Sequence, residues 1–259
     1  MLNFKRLIVY FIFSSTLFLG LIFNENSSGG AKIDHEYLLP FIKNFSLNFK
    51  FGLEAFVNDQ ASLIHSPAFY ILTGYFLKLT NSILFVKIFH ILVCCLLPYL
   101  FYLIIKTKYK INNYYIFIFS LIIFLSPYFR SSAIWLLGDN LSLIFFSSSI
   151  YYFLKTRDDK SNFSNYYLCL ISLIMCCYIR YYYCVFFIYF LFIFYKEVSL
   201  KSFLKALLVL FILSIPAIIY FYHIILNYNF LNKLFKYGNI NYYSNSLIIL
   251  SIIFFYLLP

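Results

Sequence analysis

The side chains able to do chemistry in this sequence are few and far apart. Asp34 and Glu36 lie in a polar stretch near the start, and His65 comes just before a Ser-Pro pair. Arg130 and Asp139 are near neighbours, and Arg180 stands inside a long apolar run. A carboxylate can take a proton from a hydroxyl, and a guanidinium can balance a developing anion. Ionisable groups at membrane depth are costly to desolvate, so each of these is a functional candidate by default. Each also has a plainer reading. Asp34 suits a solvated loop. Asp139 suits the first turn of a helix, where the helix dipole favours an acid. His65 suits an N-terminal turn, and Arg180 suits a contact with lipid phosphate. Lys87 and His90 suit snorkelling or a local hydrogen bond. The six cysteines, Cys94, Cys95, Cys169, Cys176, Cys177 and Cys184, all fall in apolar runs. None has metal-ligand spacing with histidine, so they read as small buried hydrophobes.

What must position these groups is almost entirely apolar. Of 259 residues, 63% are hydrophobic, 24% aromatic and 11% charged. Soluble domains carry roughly 45–50% apolar and about 25% charged residues. An ordinary soluble domain, a disordered chain and a small disulfide scaffold are therefore excluded, and an integral membrane protein remains. The net charge of +11 comes in short basic clusters between apolar runs, which is how membrane topology is written. No basic-aromatic nucleic-acid module is present, so no nucleic-acid partner is expected.

A spanning helix needs about 20 mainly apolar residues. Residues 7–23 form the first candidate, and Lys5 and Arg6 before it predict a cytoplasmic N-terminus. A cleaved signal peptide is the competing reading, with small residues at 27–31. Residues 24–82 form the first outer loop. Its 24–66 stretch holds five of the nine acidic residues, and the apolar pattern over 37–49 suits a helix lying on the membrane surface. Residues 67–79 are apolar but short, at about 20 Å of helix against a core of about 30 Å. They read as a juxtamembrane or re-entrant helix on the outer side.

Residues 83–105 cross inward to Lys106, Lys108 and Lys110. Residues 114–129 return, and 133–154 cross again toward Lys155, Arg157 and Lys160. Residues 166–195 read as a two-helix hairpin with Arg180 at its outer turn, which keeps Lys196, Lys201 and Lys205 inside. Residues 206–226 cross outward, kinked at Pro216. Residues 227–245 form an outer loop, and 246–259 begin a last, short crossing. The expected fold is an all-α, polytopic transmembrane helical bundle of about eight spans, one domain over 1–259, with amphipathic juxtamembrane helices in the first outer loop. Lys78 and Lys87 fit it only as outer, snorkelling residues, and Trp135, the single tryptophan, only as an interfacial anchor. In this topology Asp34, Glu36, His65, Arg130, Asp139 and Arg180 gather at the outer face.

The order of several motifs resembles a known superfamily. Asp34-His35-Glu36 follows the first span. His65-Ser66-Pro67-Ala68-Phe69-Tyr70 leads into Ile71-Leu72-Thr73-Gly74-Tyr75-Phe76-Leu77-Lys78. A crossing helix ends in basic residues at 100–110. Ser126-Pro127 precedes Asp139, and Ile179-Arg180 lies in the long apolar hairpin. Over about residues 1–200 this is similar to the GT-C fold of membrane glycosyltransferases, which include the aminoarabinose and protein mannosyl transferases. The chain departs from the family pattern in three places. It has His-Ser-Pro for His-Pro-Pro, it has His35 between Asp34 and Glu36, and it ends at Pro259 where many relatives continue, so an incomplete C-terminus is expected.

The resemblance implies sugar transfer from a polyprenyl-phosphate-linked donor to an acceptor hydroxyl on a glycan, lipid or protein, at the outer face of the membrane lipid. It implies Asp34 and Asp139 as catalytic residues, with Asp34 the general base. Glu36, His65, Tyr70, Arg130 and Arg180 would bind substrate, the two arginines as cations for the departing phosphate. A divalent cation, held by Asp139 with Glu36, is an open possibility. Two rivals stand beside this reading. A transporter or lipid flippase would need broken helices at the midplane; the other rival is an inactive, partial glycosyltransferase homologue.

Overall fold

The computed structural model describes residues 4–59, 61–109, 112–158 and 163–228. Among them the secondary structure is all helix and turn, with no strand. That follows from apolar runs at helical spacing, and from cap residues placed where the runs break. Helix α1 (Phe4–Ile22) is followed by four helices in the first loop: α2 (Ala31–Leu47), α3 (Phe49–Val57), α4 (Ala61–Ile64) and α5 (Ala68–Thr80). Then come α6 (Ile83–Cys94), α7 (Leu96–Lys108), α8 (Asn113–Leu121) and a 3-10 turn at Ile122–Leu125. Next are α9 (Pro127–Ile134), α10 (Asp139–Asp158) and α11 (Phe163–Ile179), and a 3-10 turn at Tyr181–Val185. Helices α12 (Phe186–Glu197) and α13 (Leu200–Tyr228) complete the order.

Short polar side chains start several of these helices by accepting a free amide of the first turn, as N-caps do. Asn48 caps α3 through Lys50 N at 2.8 Å. Asn112 caps α8 through Tyr114 N at 2.9 Å. Ser126 caps α9 through Phe129 N at 3.4 Å, and Pro127 takes the first helical position, where its missing N–H costs nothing.

The chain divides into two compact units, Met1–Ser214 and Ile215–Pro259. The described part of the second is the end of α13. In the first unit, one core joins Leu17 of α1 to Ile91, Cys94 and Leu97 of α6–α7 and to Phe117 and Phe124. A second core joins Phe153 of α10, Cys169 and Leu173 of α11, and Phe190 and Phe194 of α12. Tyr166 near the start of α11 meets Phe194 near the end of α12 at 4.5 Å between ring centroids. Those two helices therefore run antiparallel, and Arg180 lies at their turn, as the charge pattern predicts. The first-loop helices pack through aromatics. Phe56 meets Phe41 edge-on and lies against Tyr70, both at 5.3 Å. Gly74 lets α5 approach α2, because a Cβ there would lie 2.6 Å from Phe45 Cβ and 2.8 Å from the Ile42 carbonyl oxygen.

Three described stretches are long and apolar enough to cross a membrane: Phe4–Ile22, Ile83–Lys108 and Leu200–Tyr222. A fourth is formed if Asn113–Leu125 and Pro127–Ile134, bent by 62°, count as one broken span. That is fewer than the eight expected from the sequence. The expected crossing over 133–154 is interrupted at Trp135–Gly138, where Leu136 takes a left-handed φ of 55°. Helices α5, α11 and α12 have 13, 17 and 12 residues and are short for a crossing. Large apolar side chains such as Phe4, Phe11, Leu208 and Phe211 point outward, as they would toward lipid. Several helices can thus span a membrane. The expected loop at 229–245 and crossing at 246–259 lie outside the described residues.

Candidate active site

Three pairs of neighbouring residues build the site. Gly138 supplies the close approach: a Cβ there would lie 3.1 Å from Ile179 Cγ2 and 3.2 Å from Phe69 Cγ. Each of these three packed residues precedes a polar one, so Tyr70, Asp139 and Arg180 are carried together by apolar contacts one position earlier. Arg180 Nη2 lies 2.8 Å from both Asp139 carboxylate oxygens. The Arg180 side chain is 11% exposed and that of Asp139 41%. The cation is thus sunk in the protein, while the carboxylate opens outward.

Arg180 Nη1 also donates to His65 Nδ1. A guanidinium only donates, so His65 must accept there in its neutral form, with its proton on Nε2. Burial, and then the Arg180 charge, lower the imidazole to about 4, which agrees with that tautomer. Ser66 fixes the same segment by donating its hydroxyl to the Tyr178 carbonyl at the end of α11. The His65 and Tyr70 rings meet edge-on at 6.3 Å.

Tyr70 is buried. Burial pushes its phenol up most; Arg180 pulls it down, and Asp139, Asp34 and Tyr37 push it further up. Asp34 therefore acts on the same hydroxyl as Asp139, from the exposed first turn of α2. Tyr37, one turn along α2, donates to Asp59 Oδ1, which also accepts the Ala61 amide at 2.8 Å. His65, Tyr70, Asp139 and Arg180, from three separate segments of chain, are thus linked in one cluster, and Asp34 is tied to it through its charge acting on the Tyr70 hydroxyl. A neutral phenol, a neutral imidazole and a carboxylate-paired guanidinium stand beside an exposed acid. Such a group can take a proton and donate hydrogen bonds to a substrate oxygen.

Two expected site residues stand elsewhere. Glu36 is exposed and faces Lys32 of its own helix at 3.9 Å. Arg130 Nε donates to Glu25 at 2.7 Å and Nη2 pairs with its other oxygen. Nη1 donates to Thr16 Oγ1 at 2.8 Å and to the Phe124 carbonyl at 3.3 Å. Arg130 thereby ties α9 to the end of α1, and hydrogen bonding from Arg130 holds the Glu25 carboxyl below the usual range. Trp135 is buried rather than set at a lipid interface, and its Nε1 donates to the Glu25 carbonyl at 2.7 Å.

Among the described residues no three His, Cys, Asp or Glu side chains gather as metal ligands. Asp139 faces Arg180 and Glu36 faces Lys32. Ser66, Tyr37, Asp59 and Gly138 were not picked out as site residues from the sequence. The only signal for Gly138 was a glycine directly before an acid that opens a helix. Against protein-family models, curated proteins and solved structures, the chain finds no match.

Proposed function

We propose that this chain is a membrane glycosyltransferase of the GT-C kind. It moves a sugar from a polyprenyl-phosphate-linked donor to an acceptor hydroxyl at the outer membrane face. The observation that supports the reading is the linkage of His65, Tyr70, Asp139 and Arg180, from the first loop, α10 and the hairpin turn, with the Asp34 charge acting on the Tyr70 hydroxyl. These segments carry the motifs that resemble the family.

In the proposed step the acceptor O–H gives its proton to the Asp34 carboxylate. The acceptor oxygen forms a bond to the anomeric carbon as the bond from that carbon to the phosphate oxygen breaks. The electron pair leaves with the polyprenyl phosphate. Asp139 and His65 hold Arg180 in position, and the Tyr70 phenol, kept neutral by burial, donates a hydrogen bond. The topology that goes with this is the polytopic one of about eight spans, with a cytoplasmic N-terminus and the α2–α5 helices juxtamembrane on the outer side.

The test is transfer of radiolabelled sugar from polyprenyl-phosphate donors to membrane acceptors, with the 259-residue chain and its Asp34→Asn variant side by side. Transfer by the parent and at least about a hundredfold less by the variant is expected, since general-base catalysis contributes about 10²–10⁴. Equal transfer by both would remove Asp34 from the mechanism. No transfer by a folded parent across a broad panel of donors would refute the activity.

A further inference from the structure

We propose that Lys87, seated on the face of Trp135 beside His35, forms an anion site that takes a phosphate group. It is distinct from the Arg180 centre; the choice of phosphate among anions rests on the transfer reading above.

Charge balance carries the argument. Arg180 is matched by Asp139, and Arg130 by Glu25. Both arginines expected to receive a phosphate are thus already paired with carboxylates. Lys87 is not. Its Nζ lies 4.8 Å from the Trp135 ring centroid, and among the described residues no carboxylate stands within ion-pair distance of it. It is half-buried in α6, early in the candidate span Ile83–Lys108. A cation partly shielded from water, with a ring face and no carboxylate beside it, is under-compensated, and an anion would complete it.

Two further observations point the same way. Lys32 holds its ammonium 5.8 Å from the same ring, on a half-open side chain. The ring therefore has two cations about it, against the one exposed carboxylate of Glu36 at 3.9 Å from Lys32. His35 is buried, its ring 5.9 Å from that of Trp135, and its Nδ1 has no partner. Burial, and then the Lys87 charge, lower it to about 4, so the ring is neutral and Nδ1 offers one hydrogen bond, as acceptor or donor according to the tautomer. A protonated phosphate oxygen or a ligand hydroxyl would satisfy it. The site also adjoins the Arg180 centre along the chain, because His35 follows Asp34 and Trp135 opens the short turn that leads to Asp139. The end of a spanning helix is where a lipid phosphate lies.

The single tryptophan of the chain is inside the proposed site, so its emission reports occupancy. The 259-residue chain in nanodiscs of uncharged lipid is titrated with inorganic phosphate, geranyl phosphate and geraniol, with excitation selective for tryptophan. A saturable emission change is expected with phosphate-bearing probes and none with geraniol. Response to geranyl phosphate alone assigns a lipid-linked source, and equal response to inorganic phosphate assigns a soluble one. Lys87→Gln should weaken binding about tenfold or more, a change of ~1.4 kcal/mol, and Lys87→Arg should restore most of it.

A second measurement needs no variant: bound phosphate should protect Lys87, in the parent chain, from an amine-reactive reagent read lysine by lysine by mass spectrometry. An unchanged titration in folded Lys87→Gln overturns the proposal. So does an absence of protection at saturating probe. Phosphate binding intact with sugar transfer absent would refute the transferase reading and leave this site standing.

Discussion

The Arg180–Asp139 pair predicts an asymmetry that a surface ion pair would not show. Breaking a buried pair by removing one partner costs about 3–5 kcal/mol, because the other charge is stranded. Here the two charges are buried to different depths, at 11% exposure for Arg180 and 41% for Asp139. Asp139→Asn strands a guanidinium that water barely reaches, so a loss of about 3 kcal/mol is expected, the low end of that range. Arg180→Gln strands a carboxylate that water can solvate. Its penalty falls toward the surface regime and should be about 1 kcal/mol. The double variant removes both charges and should cost about 1–2 kcal/mol, leaving a coupling of roughly 2–3 kcal/mol. Equilibrium unfolding of all four proteins in one detergent, followed by circular dichroism, measures the cycle. Asp139→Asn no more damaging than Arg180→Gln would refute the burial argument, and a coupling under about 0.5 kcal/mol would refute the pairing itself.

Two other predictions concern pH and packing. His65 is held neutral in the fold at about 4, below its ordinary value of about 6.5. The unfolded chain binds that proton first as pH falls, so this contribution is full above pH ~6.5 and declines toward pH 4; His65→Gln should make the decline shallower, leaving the part that belongs to His35, also held at about 4. Glu25, lowered by Arg130, contributes stability above its unfolded value of about 4.3 that is lost as pH falls through its folded value. Glu25→Gln should remove that acid limb and leave the His65 window in place, as thermal unfolding between pH 3 and 8 would show. Gly74→Ala should destabilise by about 1–3 kcal/mol, as overpacking does. Its new methyl would meet the Ile42 carbonyl oxygen at 2.8 Å, and backbone yields poorly. An unaltered melting temperature would mean that α2 and α5 do not approach this closely.

The sequence by itself determined the helical class, the apolar surroundings and most of the breaks. Ser126-Pro127 stops one helix and starts the next because the serine caps and the proline has no amide to leave unpaired. A break at Arg180 is expected because the long apolar run over 166–195 and the lysines after it point to a hairpin, and the helix does end at Ile179. Such local signals act within a turn or two of chain, so they can be read from one sequence.

The choice of partners could not be read that way. Arg130 and Arg180 look alike in the sequence as isolated cations near helix ends. One clamps α1 to α9 through Glu25, and the other sits between Asp139 and His65. Trp135 has the composition of an interfacial anchor but is buried under Lys87. The expected crossing over 133–154 is broken because Leu136 turns the chain at φ 55° where the apolar pattern runs on. In each case the outcome depends on which distant side chains fill the same space. That is settled by packing across a hundred residues of chain, where helical periodicity is silent.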